Sequence, residues 1–161
     1  MARVLIVGCG CRGRALAAAL QEDGHHARGT SRTPRGCAAI ESGGIEAVQA
    51  DPDRLGTLLA HLADVSAVCW LMGTAEGDGA LALHGPRWQS MVERLVDTPV
   101  RGAVYEGAGS VAPALLVKGA ATAREAARTF RMPIEVVEVD PADHPAWLSA
   151  GRAAVETVLS R

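Results

Sequence analysis

Short apolar runs of strand length alternate along the chain with stretches in which apolar residues recur at helical spacing. Residues 4–7, 27–30, 45–48, 65–71, 100–106 and 134–139 predict strands, most of them β-branched and bounded by Gly, Pro or Asp. Residues 12–23, 34–42, 54–62, 86–96 and 118–130 predict helices between them. Strands separated by helices make repeated βαβ units, which implies a parallel sheet with helices on both faces. A last helix follows the sixth strand. Asp143 is placed to cap it, Pro145 sits in its first turn, and Trp147, Leu148, Gly151, Val155, Val158 and Leu159 recur on one face. That stripe is expected to pack on the core rather than to form a partner surface.

The first strand runs into Gly8-Cys9-Gly10-Cys11-Arg12-Gly13, with Ala17 four residues beyond. A GxGxxG run that leaves a strand and opens a helix inside one βαβ unit is the context in which this motif receives a dinucleotide. Gly8 permits the tight turn, Gly10 lets the backbone approach a pyrophosphate, and Gly13 with Ala17 allows the helix to pack closely on the sheet. Free amides and the positive end of the helix then favour the phosphates. A glycine-rich turn without a ligand is the plain alternative. Residues 4–10 are also similar to the first motif of methyltransferases that bind S-adenosylmethionine, but those carry an acid where Ile6 stands and a further glycine where Arg12 stands.

Roughly 20 residues further on, at the end of the second strand, a site for NAD places Asp or Glu on the ribose hydroxyls. The segment here is His26-Ala27-Arg28-Gly29-Thr30-Ser31-Arg32-Thr33, and it holds no acid. Arg32 is positioned to meet a 2′-phosphate through charge-assisted hydrogen bonds. Thr30 or Ser31 would add a hydroxyl, and Arg12 is expected to approach the same anion. The cofactor expected is therefore NADP, with NAD the weaker fit. The bland alternative is that these arginines are solvated surface charges.

Composition narrows the classes. The 161 residues suit one domain, 1–161, and 48% hydrophobic residues with 21% charged ones and a net charge of −2 describe a globular protein, not a polybasic nucleic-acid binder. Five aromatic residues, three Trp with Tyr105 and Phe130, are too few for a platform that stacks single-stranded nucleic acid. No apolar run reaches the roughly 20 residues that cross a bilayer, so no membrane partner is expected and a cytoplasmic location is. Four cysteines, Cys9, Cys11, Cys37 and Cys69, lack the paired spacing of a zinc site, and neither a metal nor a disulfide framework is expected.

Taken together, Gly8 to Gly13, Gly24-His25 leading to Gly29-Thr30-Ser31-Arg32, Ala50-Asp51, Val68 to Gly73, and Val104-Tyr105 followed by Ser110 make the chain resemble an atypical member of the short-chain dehydrogenase/reductase superfamily, in its extended, epimerase-like or NAD(P)H-binding branch. The resemblance implies a Rossmann-fold, doubly wound α/β sheet of six parallel strands in the order 3-2-1-4-5-6, with the phosphate loop at the switch point after the first strand. It implies an adenine contact for Asp51 and a place along the cofactor for Leu71, Met72 and Gly73.

Two departures limit what the resemblance carries over. Family enzymes usually hold YxxxK, whose tyrosine protonates the substrate oxygen while the lysine lowers the tyrosine pKa. Lys118, the only lysine, is expected just before the helix that leads to the sixth strand, yet Ala114 stands four residues earlier. Tyr105 does not substitute, since Gly109 stands four residues after it. Extended members also add a substrate-binding part after the sixth strand, where this sequence has Asp140-Pro141 and one helix. A substrate is then expected in the crevice near residues 74–85 and 106–113, or enclosed by a second subunit, and a homodimer is expected.

No catalytic residue is assigned. His84 and Arg87 would stand at the crevice mouth unless Gly85-Pro86 simply starts a helix, which is the favoured reading, and Ser110 is more often a turn residue than a donor. Cys9 and Cys11 at a helix N-terminus invite a lowered thiol pKa, although cover by bound cofactor is the commoner outcome. Two functions follow. One is an NADP(H)-dependent oxidoreductase that passes hydride to a small or flavin-like acceptor; the other is a non-catalytic NADP-binding sensor or subunit.

Overall fold

A computed structural model describes residues 1–161. Six strands, β1 (Arg3–Val7), β2 (His26–Ser31), β3 (Glu46–Gln49), β4 (Ala67–Trp70), β5 (Gly102–Glu106) and β6 (Ile134–Val137), form one sheet in the order β3-β2-β1-β4-β5-β6. Every pairing is parallel. This is the doubly wound order expected from the sequence. The helices are α1 (Cys11–Glu22), α2 (Pro34–Ser42), α3 (Leu55–Leu59), α4 (Gly79–His84), α5 (Pro86–Leu95), α6 (Pro113–Phe130) and α7 (His144–Ser160). None is long and apolar enough to cross a membrane.

Side chains along a strand point alternately to its two faces. Leu5 and Val7 join the core on one face with Trp70, Trp88 and Tyr105, whereas Val4 and Ile6 join the core on the other with Leu16, Leu20, Trp147 and Val155. Both faces of β1 are covered, which is why it reads as an unbroken apolar run rather than an alternating one. Helices α1 and α7 lie on the second face, and α5 and α6 on the first. The stripe on α7 packs inward, with Trp147, Val155 and Val158 fully buried or nearly so, and the Asp143 side chain accepts from the Ala146 N–H as a cap.

Three helices differ from expectation. α6 begins at Pro113, five residues before the expected start at 118, because a proline at the first helical position arrives with its φ already set. Lys118 therefore lies within α6 rather than ahead of it. α3 is shorter than residues 54–62, ending in hydrogen-bonded turns at His61 and Leu62. α4 was not foreseen, since six residues are too few to show a helical period. Gly85 closes α4 and opens α5, so Gly85-Pro86 is a helix start, as favoured.

Candidate functional site

The chain reverses its direction of travel across the sheet between β3 and β4, leaving a crevice above the carboxyl ends of β1 and β4. The loop from β1 to α1 forms its floor. Gly8 adopts φ +85°, and a Cβ there would lie 2.3 Å from the Leu71 carbonyl oxygen, so no other residue fits. A Cβ at Gly13 would lie 2.9 Å from the Gly8 carbonyl oxygen. Gly10 is different: its φ is −81° and a Cβ would meet no atom within 4 Å. The protein's own packing does not require glycine at that position. Gly10 is the N-cap of α1, no side chain caps the helix, and its first turn holds no acid. Space is thus open beside Gly10 at an N-terminus whose first-turn amides have no side-chain cap.

The cleft measures about 580 Å³, within the roughly 300–1,000 Å³ of small-molecule sites. Of the residues singled out by sequence, Gly8, Cys9, Gly10, Arg12, Gly13, Thr30, Ser31, Arg32, Leu71 and Met72 line it. Cys11, Asp51 and Gly73 do not. Asp51 shapes the loop after β3, where its Oδ1 accepts from the Asp53 N–H at 2.9 Å, and it is Pro52 and Asp53 that face the cleft. Gly73 is buried, with its N–H donating to Glu106 Oε1 at 2.7 Å. Cys11 is exposed beside the lining, and Arg14 donates to its Sγ. Cys9 is buried against Gly29, and burial pushes its thiol up to about 11, opposed by the Arg14 charge, so a depressed pKa is not found there.

The arginines divide into three groups. Arg32 lines the cleft at the end of β2 with Thr30 and Ser31, beside the N-terminus of α2 where the Thr33 hydroxyl accepts from the Gly36 N–H. Arg14, which the sequence did not single out, lines the cleft as well. Arg12 does not turn toward that end. Its guanidinium donates to both carboxylate oxygens of Glu106, at 2.8 and 3.1 Å, and to Thr74 Oγ1 at 3.0 Å, which commits it to the β4–β5 side of the crevice. A buried carboxylate draws the nearest guanidinium because an unpaired charge there would be costly. Arg28 is likewise spoken for, by Glu46 and Asp64.

His84 is wholly buried rather than at the crevice mouth. The Met72 carbonyl, 2.6 Å from Nε2, can only accept, so Nε2 carries the proton and Nδ1 accepts the Tyr105 hydroxyl at 2.5 Å. Burial holds the His84 pKa below its usual value and pushes the Tyr105 phenol up. Tyr105 stacks on Trp88 with centroids 5.1 Å apart, so the pair buttresses the loop after β4 from behind. Arg87 pairs with Asp53 at 3.6 Å. Ser110 is an exposed loop residue, and Ala114 and Lys118 are exposed on one side of α6, none of them lining the cleft. Glu106 escaped the sequence reading; its one signal is an acid ending an otherwise apolar strand.

No family model and no curated protein sequence matches this chain. Solved structures do. The complex of Citrobacter sp. triphenylmethane reductase with NADP(H) superposes with a TM-score of 0.65 at 18% identity, over 84% of this chain and 48% of that one. A short-chain dehydrogenase/reductase superfamily protein from Agrobacterium tumefaciens with bound NAD gives 0.68 at 19% identity, over 84% and 48%. UDP-N-acetylglucosamine 4-epimerase from Bacillus cereus gives 0.66 at 17% identity, over 86% and 53%. The chain spans about half the length of each. At these identities the likeness is one of architecture: the chain has the Rossmann-like fold found in short-chain dehydrogenase/reductase and epimerase proteins.

Proposed function

We propose that the chain binds a nicotinamide dinucleotide across the carboxyl ends of its strands, prefers the 2′-phosphorylated form NADP(H), and serves as an oxidoreductase toward a small or flavin-like acceptor. The observation that carries the reading is Gly10, a glycine demanded by nothing in the protein itself, beneath the uncapped first turn of α1. In this reading the amides of that turn hold the pyrophosphate. Arg32 with Ser31 and Thr30 holds the 2′-phosphate, in a stretch of β2 that offers no acid to ribose hydroxyls. Asp51, outside the lining, acts only through the loop that presents Pro52 and Asp53. Support also comes from the similar folds, one of which is described in complex with NADP(H) and one with NAD.

Bound NADPH would supply the hydride, and the protein would supply position and electrostatics. The cleft contains no tyrosine or lysine, and Ala114 and Lys118 face solvent. That absence of a tyrosine acid favours acceptors that need no strong proton donor, and it also favours a second reading, a protein that binds NADP(H) without turning it over. NADPH consumption against a panel of ketones, quinones and free flavins separates the two. Consumption with flavins or quinones and little with ketones is the expected result. Tight binding with no consumption by any acceptor would transfer the reading to the non-catalytic protein, and vigorous ketone reduction would contradict the missing acid.

A further inference from the structure

The cleft crosses the switch from the β1–β3 half as far as the loop after β4 and α4. A doubly wound sheet consists of two mononucleotide-binding halves, and a dinucleotide lies across the switch between them. The cavity is lined from the loops after β1, β2, β3 and β4 with parts of α1, α2 and α4, and by no residue that follows β5 or β6. At the β5 edge of the cleft, Arg12 reaches from the first turn of α1 to the end of β5. Three of its N–H groups are engaged, two on Glu106 and one on Thr74, and its guanidinium lies 5.6 Å from the centre of the Trp147 ring. Behind this bridge the loops after β4 and β5 press together, since a Cβ at Gly109 would lie 2.1 Å from the Gly73 carbonyl oxygen.

The geometry points to a strap: resting on the NADP(H) reading above, the Arg12–Glu106–Thr74 bridge closes the nicotinamide end of the crevice, so that the resting protein takes up the 2′-phospho-ADP-ribose part of the cofactor and admits the nicotinamide ring only when Arg12 releases Glu106. The two partners are unequal in a way that sets which one moves. The Glu106 side chain has no exposed surface and keeps the Gly73 N–H, whereas the Arg12 side chain is 22% exposed and can re-enter water. A closed strap leaves the full dinucleotide with no more protein contact than 2′-phospho-ADP-ribose.

The test compares NADPH with 2′-phospho-ADP-ribose, which lacks only the nicotinamide, by titration calorimetry. In the wild type the strap predicts affinities within three-fold of each other, and a larger preference for NADPH overturns it. In Arg12→Ala/Glu106→Gln, which removes the pair together, NADPH should gain at least ten-fold over 2′-phospho-ADP-ribose. The ratio is read rather than either affinity, because any loss of phosphate contacts at the loop affects both ligands. Thr74→Val, which removes one anchor and no charge, serves if circular dichroism shows the double variant unfolded, and should raise the ratio at least three-fold over the wild type. An unchanged ratio in a folded variant overturns the strap. If neither nucleotide binds the wild type, the dinucleotide reading itself fails and takes the strap with it.

Discussion

Arg12 and Glu106 are 94 residues apart in sequence and meet through two hydrogen bonds, of 2.8 and 3.1 Å, joining the phosphate loop to the end of β5. Removing Arg12 alone strands a carboxylate with no exposed surface, which typically costs about 3 kcal/mol or more, toward the low end here because the Gly73 N–H remains. Removing both charges should cost less than the sum of the single losses. Urea unfolding of Arg12→Met, Glu106→Gln and the double variant checks this, and additive losses would show that the two groups are not coupled.

Gly8 and Gly10 are two residues apart but should respond oppositely to alanine. At Gly8 the left-handed φ of +85° and the 2.3 Å approach to the Leu71 carbonyl predict a loss of more than about 2 kcal/mol of stability. At Gly10 the empty surroundings predict a change of no more than about 0.5 kcal/mol, together with at least a ten-fold loss of dinucleotide affinity. Thermal unfolding and nucleotide titration of both variants decide it; a Gly10→Ala protein that binds as the wild type does would remove the main support for the site.

Buried His84 links stability to pH. Burial disfavours its charged form, so its folded pKa lies below the ordinary 6.5, with the nearby Glu106 charge acting in the opposite direction. Below that ordinary value the unfolded chain binds the proton and the folded chain does not. The contribution is therefore complete above about pH 6.5 and is lost as pH falls from there through the lower folded pKa. Protonation also ends Nδ1's role as acceptor for Tyr105. His84→Gln should flatten the fall in urea midpoint between pH 7 and the folded pKa, whereas an unaltered slope would assign it to other groups.

Much of the architecture is legible without coordinates, for identifiable reasons. β1 is buried on both faces and reads as an apolar run, and the turn at Gly8 can be made by one residue type only, so strand, loop and helix announce themselves locally. The first turn of α6 is not legible from helical spacing, because only Pro113 marks it; Lys118, at the expected start, lies on the helix's solvent face. The direction of Arg12 is not legible in the sequence for a deeper reason. A glycine-loop arginine has no local preference between the two halves of a crevice; Glu106 decides, and the pairing is visible only once β5 lies two strands from β1. Asp51 illustrates the same limit from the other side, since its Oδ1 is turned into its own loop to accept from the Asp53 N–H, a local contact that its place after the third strand does not announce.

In the proposed site the Gly8–Gly13 loop holds the dinucleotide and Arg32 meets its 2′-phosphate. A charge-assisted hydrogen bond is worth about 1.5–3 kcal/mol, which is roughly ten-fold or more in affinity. Titration calorimetry of the wild type and of Arg32→Ala with NADPH and NADH measures that difference directly. The wild type should bind NADPH at least ten-fold more tightly than NADH, and Arg32→Ala should weaken NADPH to the level of NADH while leaving NADH nearly unchanged. Equal affinities for the two nucleotides in the wild type would contradict it.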